Sequence, residues 1–169
     1  NTIYRIVEIQ DHEGTLHPVA ATPGPLAQSL TDNYSEITRA CRLGKPRPGL
    51  LTIDHFSIEP SYILSADNAF FSLFDFLLLK GNVEKVLLQP NEIVITERIA
   101  ERLFGESWQH NNKVIGYPVV LNNASEMVIA GVAKDCPTNS HIQFDVVVSM
   151  RHEETNYPNN VLNWENHNY

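Results

Sequence analysis

The stretch Glu92 to Gly105, EIVITERIAERLFG, constrains the fold more than any other part of the chain. Glu92-Ile93-Val94-Ile95, with three β-branched residues in a row, reads as a strand. Thr96 follows at once, a residue type suited to a helix N-cap, and Glu97 is well placed at the positive end of the helix behind it. From Glu97 to Phe104 the apolar residues keep i, i+4 spacing, Ile99 with Leu103 and Ala100 with Phe104. Gly105 stands where a C-cap favours a residue that tolerates positive φ. A strand that passes directly into a helix calls for a sheet with helices packed on it.

The rest of the chain supplies the partners. Thr2 to Gln10 alternates as a strand, with a turn at Asp11 to Gly14. Pro25 opens a helix that runs to about Tyr34, proline being tolerated in the first turn. Glu36 to Leu43 reads as a second strand, and Lys45-Pro46-Arg47-Pro48-Gly49 as a loop. Leu50 to Ile58 and Tyr62 to Ser65 read as short strands around Pro60. Asp67-Asn68 is expected to cap a short helix, Ala69 to Phe74. A strand begins at Leu77 to Leu79 and stops at Lys80-Gly81-Asn82, and Val83 to Leu88 suggests one helical turn. After the helix ending at Gly105 come three strands, Lys113 to Leu121, Glu126 to Ala133 and Ile142 to Ser149, with a hairpin turn at Asn122-Asn123. In the last of these, Ile142, Phe144, Val146 and Val148 alternate with Gln143, Asp145, Val147 and Ser149, so one face is expected to be buried. Arg151 to Asn160 is polar and expected to be mobile. Strands and short helices without strict βαβ alternation predict an α+β fold of mixed and antiparallel sheets with short packed helices.

Composition narrows function by exclusion. Twelve Lys and Arg face twenty Asp and Glu, a net charge of -8; a nucleic-acid binder needs a basic stripe. The one basic cluster, Arg39, Arg42, Lys45 and Arg47, lies beside a Pro/Gly turn and is expected to be a solvated loop. No run of about eighteen apolar residues is present to span a bilayer. The seven histidines, His12, His17, His55, His110, His141, His152 and His167, include no HExxH, and the two cysteines form no CxxC, so no metal site is marked. No phosphate-binding glycine loop is present either. Cys41 and Cys136 are read as free thiols or as one disulfide, which spacing alone does not decide.

One stretch invites a catalytic reading. Asp135 to Met150, DCPTNSHIQFDVVVSM, holds Cys136, Ser140 and His141 close together. A nucleophile and its base usually meet from different segments, and neighbours on an extended chain point to opposite sides. There is no GxSxG elbow. The stretch is therefore read as a turn, Pro137-Thr138-Asn139-Ser140, feeding a strand. The aromatic group Phe70, Phe71, Phe74 and Phe76 is read as core rather than as a ligand pocket.

Four segments in order carry a family resemblance. They are ATPGPLAQSLTDNYSEITRACRL (Ala21 to Leu43), LSADNAFFSLFDFLLLKGN (Leu64 to Asn82), LLQPNEIVITERIAERLFG (Leu87 to Gly105) and VIAGVAKDCPTNSHIQFDVVVSM (Val128 to Met150). Together they resemble the periplasmic core domain of MacB/FtsX-type ABC transporter permeases, especially those of Bacteroidetes. Thr96-Glu97 with Ala100 and Leu103-Phe104-Gly105 matches the recurrent helix after a strand. Asp135 to His141 matches the turn before the last strand, although cysteine is not expected at its second place.

The resemblance implies a two-lobed domain: a porter-like lobe of about 1–45 and 130–169, and an inserted lobe of about 46–129. It implies a fragment on the periplasmic face of the inner membrane, lying after a first transmembrane helix. The start at Asn1 without methionine and the end at Tyr169 fit such a fragment. It implies no catalytic residue, cofactor or metal ligand, since ATP is hydrolysed by a cytoplasmic ATPase. The implied partners are that ATPase, reached through the membrane part, a second permease copy, and a periplasmic adaptor or cargo, with no nucleic acid. The implied role is to transmit ATP-driven movement and to dock partners. The alternatives are a ligand-binding sensor domain and a hydrolase using Cys136 or Ser140 with His141.

Overall fold

The computed structural model describes residues 2–169. Its elements, in chain order, are β1 (Glu8–His12), β2 (Thr15–Val19), α1 (Leu26–Asn33), β3 (Leu51–Ile53), β4 (Phe56–Ile58), β5 (Ile63–Ala66), α2 (Phe70–Leu73), β6 (Leu78–Lys80), β7 (Glu92–Thr96), α3 (Glu97–Phe104), a 3₁₀ turn at Trp108–His110, β8 (Pro118–Leu121), β9 (Ser125–Ala133), β10 (Val146–Ser149), α4 (Met150–Asn156) and α5 (Pro158–Val161). β3 to β10 form one sheet in the order β4-β3-β8-β9-β7-β10-β5, with β6 also paired to β9. It is mixed: β7 runs parallel to β9 and β10 parallel to β5, while the other pairs are antiparallel. β1 and β2 form a separate two-stranded hairpin. This is the α+β class expected.

The sheet is covered on both faces, and the alternation of side chains shows how. Ile93 and Ile95 of β7 join one apolar cluster with Ile99, Ala100, Trp108, Met127 and Ile129. Val94, between them, joins the other with Phe70, Phe71, Val86, Leu87 and Phe144. β10 does the same: Val146 and Val148 enter the first cluster and Val147 the second. All four β10 residues are buried, as a strand covered on both faces requires. The expected single buried face of Ile142 to Ser149 is therefore corrected, and the strand itself starts only at Val146. Ile142 and Phe144 pack against or within the α2-side cluster from a loop.

Other boundaries shift for identifiable reasons. The N-terminal strand is displaced: residues 2–7 have no regular structure, and β1 begins at Glu8, turns at Glu13-Gly14 and pairs with β2, which the alternation did not mark. Glu13 and Gly14 both have positive φ, and Gly14 takes it without steric cost. Glu36 to Leu43 forms no strand; only Leu43 makes an isolated bridge, to Ala66. Lys113 to Leu121 shortens to β8, and its turn into β9 sits at Asn122-Asn123, both at positive φ, as expected of asparagine in hairpin turns. Residues 151–160, expected to be a mobile segment, are α4 and α5, anchored by buried Met150 and Val161. Residue 45 lies in the connection between α1 and β3, and residue 130 lies within β9.

The expected caps also differ. Thr96 has extended backbone before α3, but its hydroxyl makes no capping hydrogen bond and is buried without a partner. Asp67 accepts the Phe70 N–H at α2 through its backbone carbonyl, at 3.0 Å, and its side chain is committed elsewhere.

Candidate functional site

Polar side chains converge most densely where the 41–47 segment, β5 and α4 meet. Arg42 donates from Nη2 to Asp67 Oδ1 and to Glu154 Oε1, both at 2.7 Å, and from Nε to Asp67 Oδ2 at 3.0 Å. The Arg42 backbone N–H also donates to Asp67 Oδ2, at 2.7 Å. The Arg42 side chain is only 14% exposed. Burial works against its charge, and the hydrogen bonds and charges of Asp67 and Glu154 outweigh that, raising its pKa above the ordinary arginine value. A few ångströms along, Ser65 Oγ donates to Glu153 Oε1 at 2.8 Å, and Arg47 lies 3.5 Å from the same oxygen. Arg42, Asp67 and Glu154 border a polar cavity of about 180 Å³ with Gln28, Asn68, Ser149 and Arg151. The expectation of a solvated basic loop holds for exposed Arg39 and Lys45 but fails for Arg42. A guanidinium matched by two carboxylates favours a fixed, partly buried fork.

Chemically, this cluster is a tie. Arg42 pairs with Asp67 and Glu154, Arg47 pairs with Glu153, and the Ser149 hydroxyl at the cavity wall donates to the Leu87 carbonyl at 2.9 Å. Sequence reasoning missed it because Arg42, Asp67 and Glu154 lie far apart along the chain. The available signal was the density of acidic residues, Glu153-Glu154, beside a chain otherwise poor in basic ones.

Cys136, Ser140 and His141 are not assembled. Ser140 Oγ donates to the Ile142 carbonyl at 2.9 Å and lies 3.3 Å from the Ile142 N–H, closing a local turn. Cys136 Sγ lies 3.6 Å from the Phe144 carbonyl, and burial raises its pKa. His141 is exposed, and no hydrogen bond joins it to either residue. Gln143 donates to the carbonyls of Pro137 and Ser140, at 2.9 and 2.8 Å. These are the contacts of a turn that feeds a strand. Cys41 and Cys136 are both free thiols.

The aromatic group is core. Phe70 stacks on Phe76 at 5.4 Å and meets Phe71 and Phe144 edge to face at 5.0 and 5.6 Å. A second, more open concavity of about 520 Å³ is lined by Gly81, Asn82, Lys85, Ile115, Gly116 and Val128, among others. Among the described residues, no three His, Cys, Asp or Glu side chains converge as metal ligands, and no helix is long and apolar enough to cross a membrane.

The family model of the MacB-like periplasmic core domain matches residues 5–164. The chain belongs to that family. Its members are periplasmic domains of MacB-like ABC transporter permeases. No curated protein sequence matches the chain, but solved structures share the core-domain fold. A permease domain from Porphyromonas gingivalis superposes with a TM-score of 0.71 at 21% identity, over 87% of this chain and 64% of its own. The periplasmic region of MacB from Actinobacillus actinomycetemcomitans gives 0.54 at 13% identity, over 76% and 58%. The extracellular domain of the noncanonic ABC-type transporter YknZ from Gram-positive bacteria gives 0.52 at 12%, over 82% and 74%. The chain spans less than two thirds of the first two of these domains.

Proposed function

We propose that this MacB-like core domain is a non-catalytic lever on the periplasmic face of the inner membrane. It passes movement driven by a cytoplasmic ATPase to a partner outside the membrane. The observation that carries this reading is β10, whose alternate residues belong to both apolar clusters. A load applied on one side of the sheet reaches the other through a strand with no slack, because packed interiors transmit strain. The Arg42 tie adds a charge-assisted link between the 41–47 segment and α4. The same proposal includes a second permease copy as the neighbour, an adaptor or cargo as the docked partner, and the division into a porter-like lobe and an insert within the longer domain.

The test uses the full-length permease reconstituted with its ATPase. A nitroxide at exposed Glu101 on α3 reports the distance between paired copies. The distance distribution is expected to move between the nucleotide-free and ATP-trapped states, as in a rigid-body transition. An unchanged distribution, with the ATPase demonstrably cycling, overturns the lever.

A further inference from the structure

We propose that the β1–β2 hairpin carries a surface site for a divalent transition-metal ion, built from His12 and His17. The register pairs Gln10 with His17 and His12 with Thr15. Residues directly opposite in an antiparallel pair share a face, and alternate residues along each strand share it too. Glu8, Gln10, His12, Thr15, His17 and Val19 therefore lie on one side of the hairpin, and His12 and His17 are diagonal neighbours across it. Their ring centroids are 6.2 Å apart with planes at 58°. With metal–nitrogen distances of about 2.1 Å, two imidazoles on one ion place their centroids roughly 5–6 Å apart. Both rings are exposed, so a small side-chain rotation closes the difference without moving the backbone.

The site is open on its remaining sides. Neither imidazole is hydrogen-bonded to another described residue. Glu8 shares the face, but its carboxylate is occupied by Gln10 Nε2, at 3.1 Å, and by the His167 ring. The ion is thus held by two nitrogens and completed by water. Imidazole suits copper, nickel and zinc, and affinity among divalent first-row ions peaks at copper. Because the hairpin pairs with no third strand, an ion bridging its strands would staple an element that is marginal by itself.

Calorimetric titration of the metal-stripped protein with copper(II) and zinc(II) salts, in a buffer that does not chelate, tests the site. One copper ion per chain is expected, bound more tightly than zinc. His12→Ala and His17→Ala are each expected to weaken copper roughly tenfold or more, since the second imidazole then no longer binds at high effective concentration. His55→Ala, at the exposed β3–β4 turn, should leave it unchanged. Paramagnetic broadening of amide signals by copper should be centred on residues 10–17 of the hairpin, falling off toward Glu8 and the His167 segment that touches it. Affinity retained in either hairpin variant, or broadening centred elsewhere, overturns the site. Both histidines are exposed, so a circular dichroism spectrum matching wild type will separate lost ligation from lost folding.

Discussion

Asp145 shows how one residue decides a local structure. It interrupts the apolar run FDVVVSM, and it is buried, with 2% of the residue exposed. A carboxylate there requires partners. Its Oδ2 accepts the N–H groups of Ser61 and Tyr62 at 2.8 and 3.1 Å, and its Oδ1 meets Arg98. The Arg98 side chain is 60% exposed, so water screens that ion pair and it contributes about 1 kcal/mol or less. The two backbone donors matter more, because they would be left without their acceptor. Asp145→Ala is expected to cost about 2–4 kcal/mol and Arg98→Ala much less, measured by urea denaturation; equal losses would refute this ranking. Cys41 is a second residue-scale case. Burial and then the charge of Asp67 push its thiol from 9.0 up to about 12. Its thiolate is scarce near neutrality, so iodoacetamide should modify Cys41 far more slowly in the folded than in the unfolded protein. A folded-state pKa raised this way supplies stability that is complete below pH 9 and is lost as pH rises toward 12. Cys41→Ala should flatten that part of the stability profile relative to wild type.

Elements are joined by close backbone approaches that composition does not advertise. Gly24 is the clearest. A Cβ there would lie 1.9 Å from the Val161 carbonyl oxygen at the end of α5. Beside it, Thr22 and Tyr169 exchange backbone hydrogen bonds, Thr22 Oγ1 donates to the Tyr169 carbonyl at 2.6 Å, and Pro23 bridges to His167. This contact ties the segment between β2 and α1 to the last residues of the chain. It matters because no residue of α1 is buried and the hairpin stands apart from the large sheet. Gly24→Ala is expected to separate the two backbones. Hydrogen exchange should show faster labelling at Thr22, Val161 and Tyr169, with β7 and β10 unchanged; unchanged protection at these three amides would contradict it. The strand–helix unit from Glu92 to Phe104 was legible because its period changes abruptly from alternation to i, i+4 spacing. The hairpin β1–β2 was not, because His17 and Pro18 break its alternation and its stabilising partner lies across a turn.

At the scale of the molecule, the order of strands explains how the two apolar clusters are held together. β7 and β10 lie side by side between β9 and the edge strand β5, and both send alternate residues into the two apolar clusters. Opposite faces of the sheet therefore share their strands, which suits the lever proposed for the paired permease. The sequence by itself determined the α+β class, the β7–α3 unit, the aromatic core around Phe70, the turn at Asn122-Asn123, and the family through four ordered segments. These rest on local periodicity, turn chemistry and order along the chain, all of which a sequence carries directly. Only the tertiary structure decided which strands are neighbours, that β10 is buried on both faces, that Arg42 is tied to Asp67 and Glu154, and that His12 and His17 share a face. Those depend on contacts between residues far apart in the chain or on register across a turn. A one-residue slip in that register would send each side chain to the opposite face.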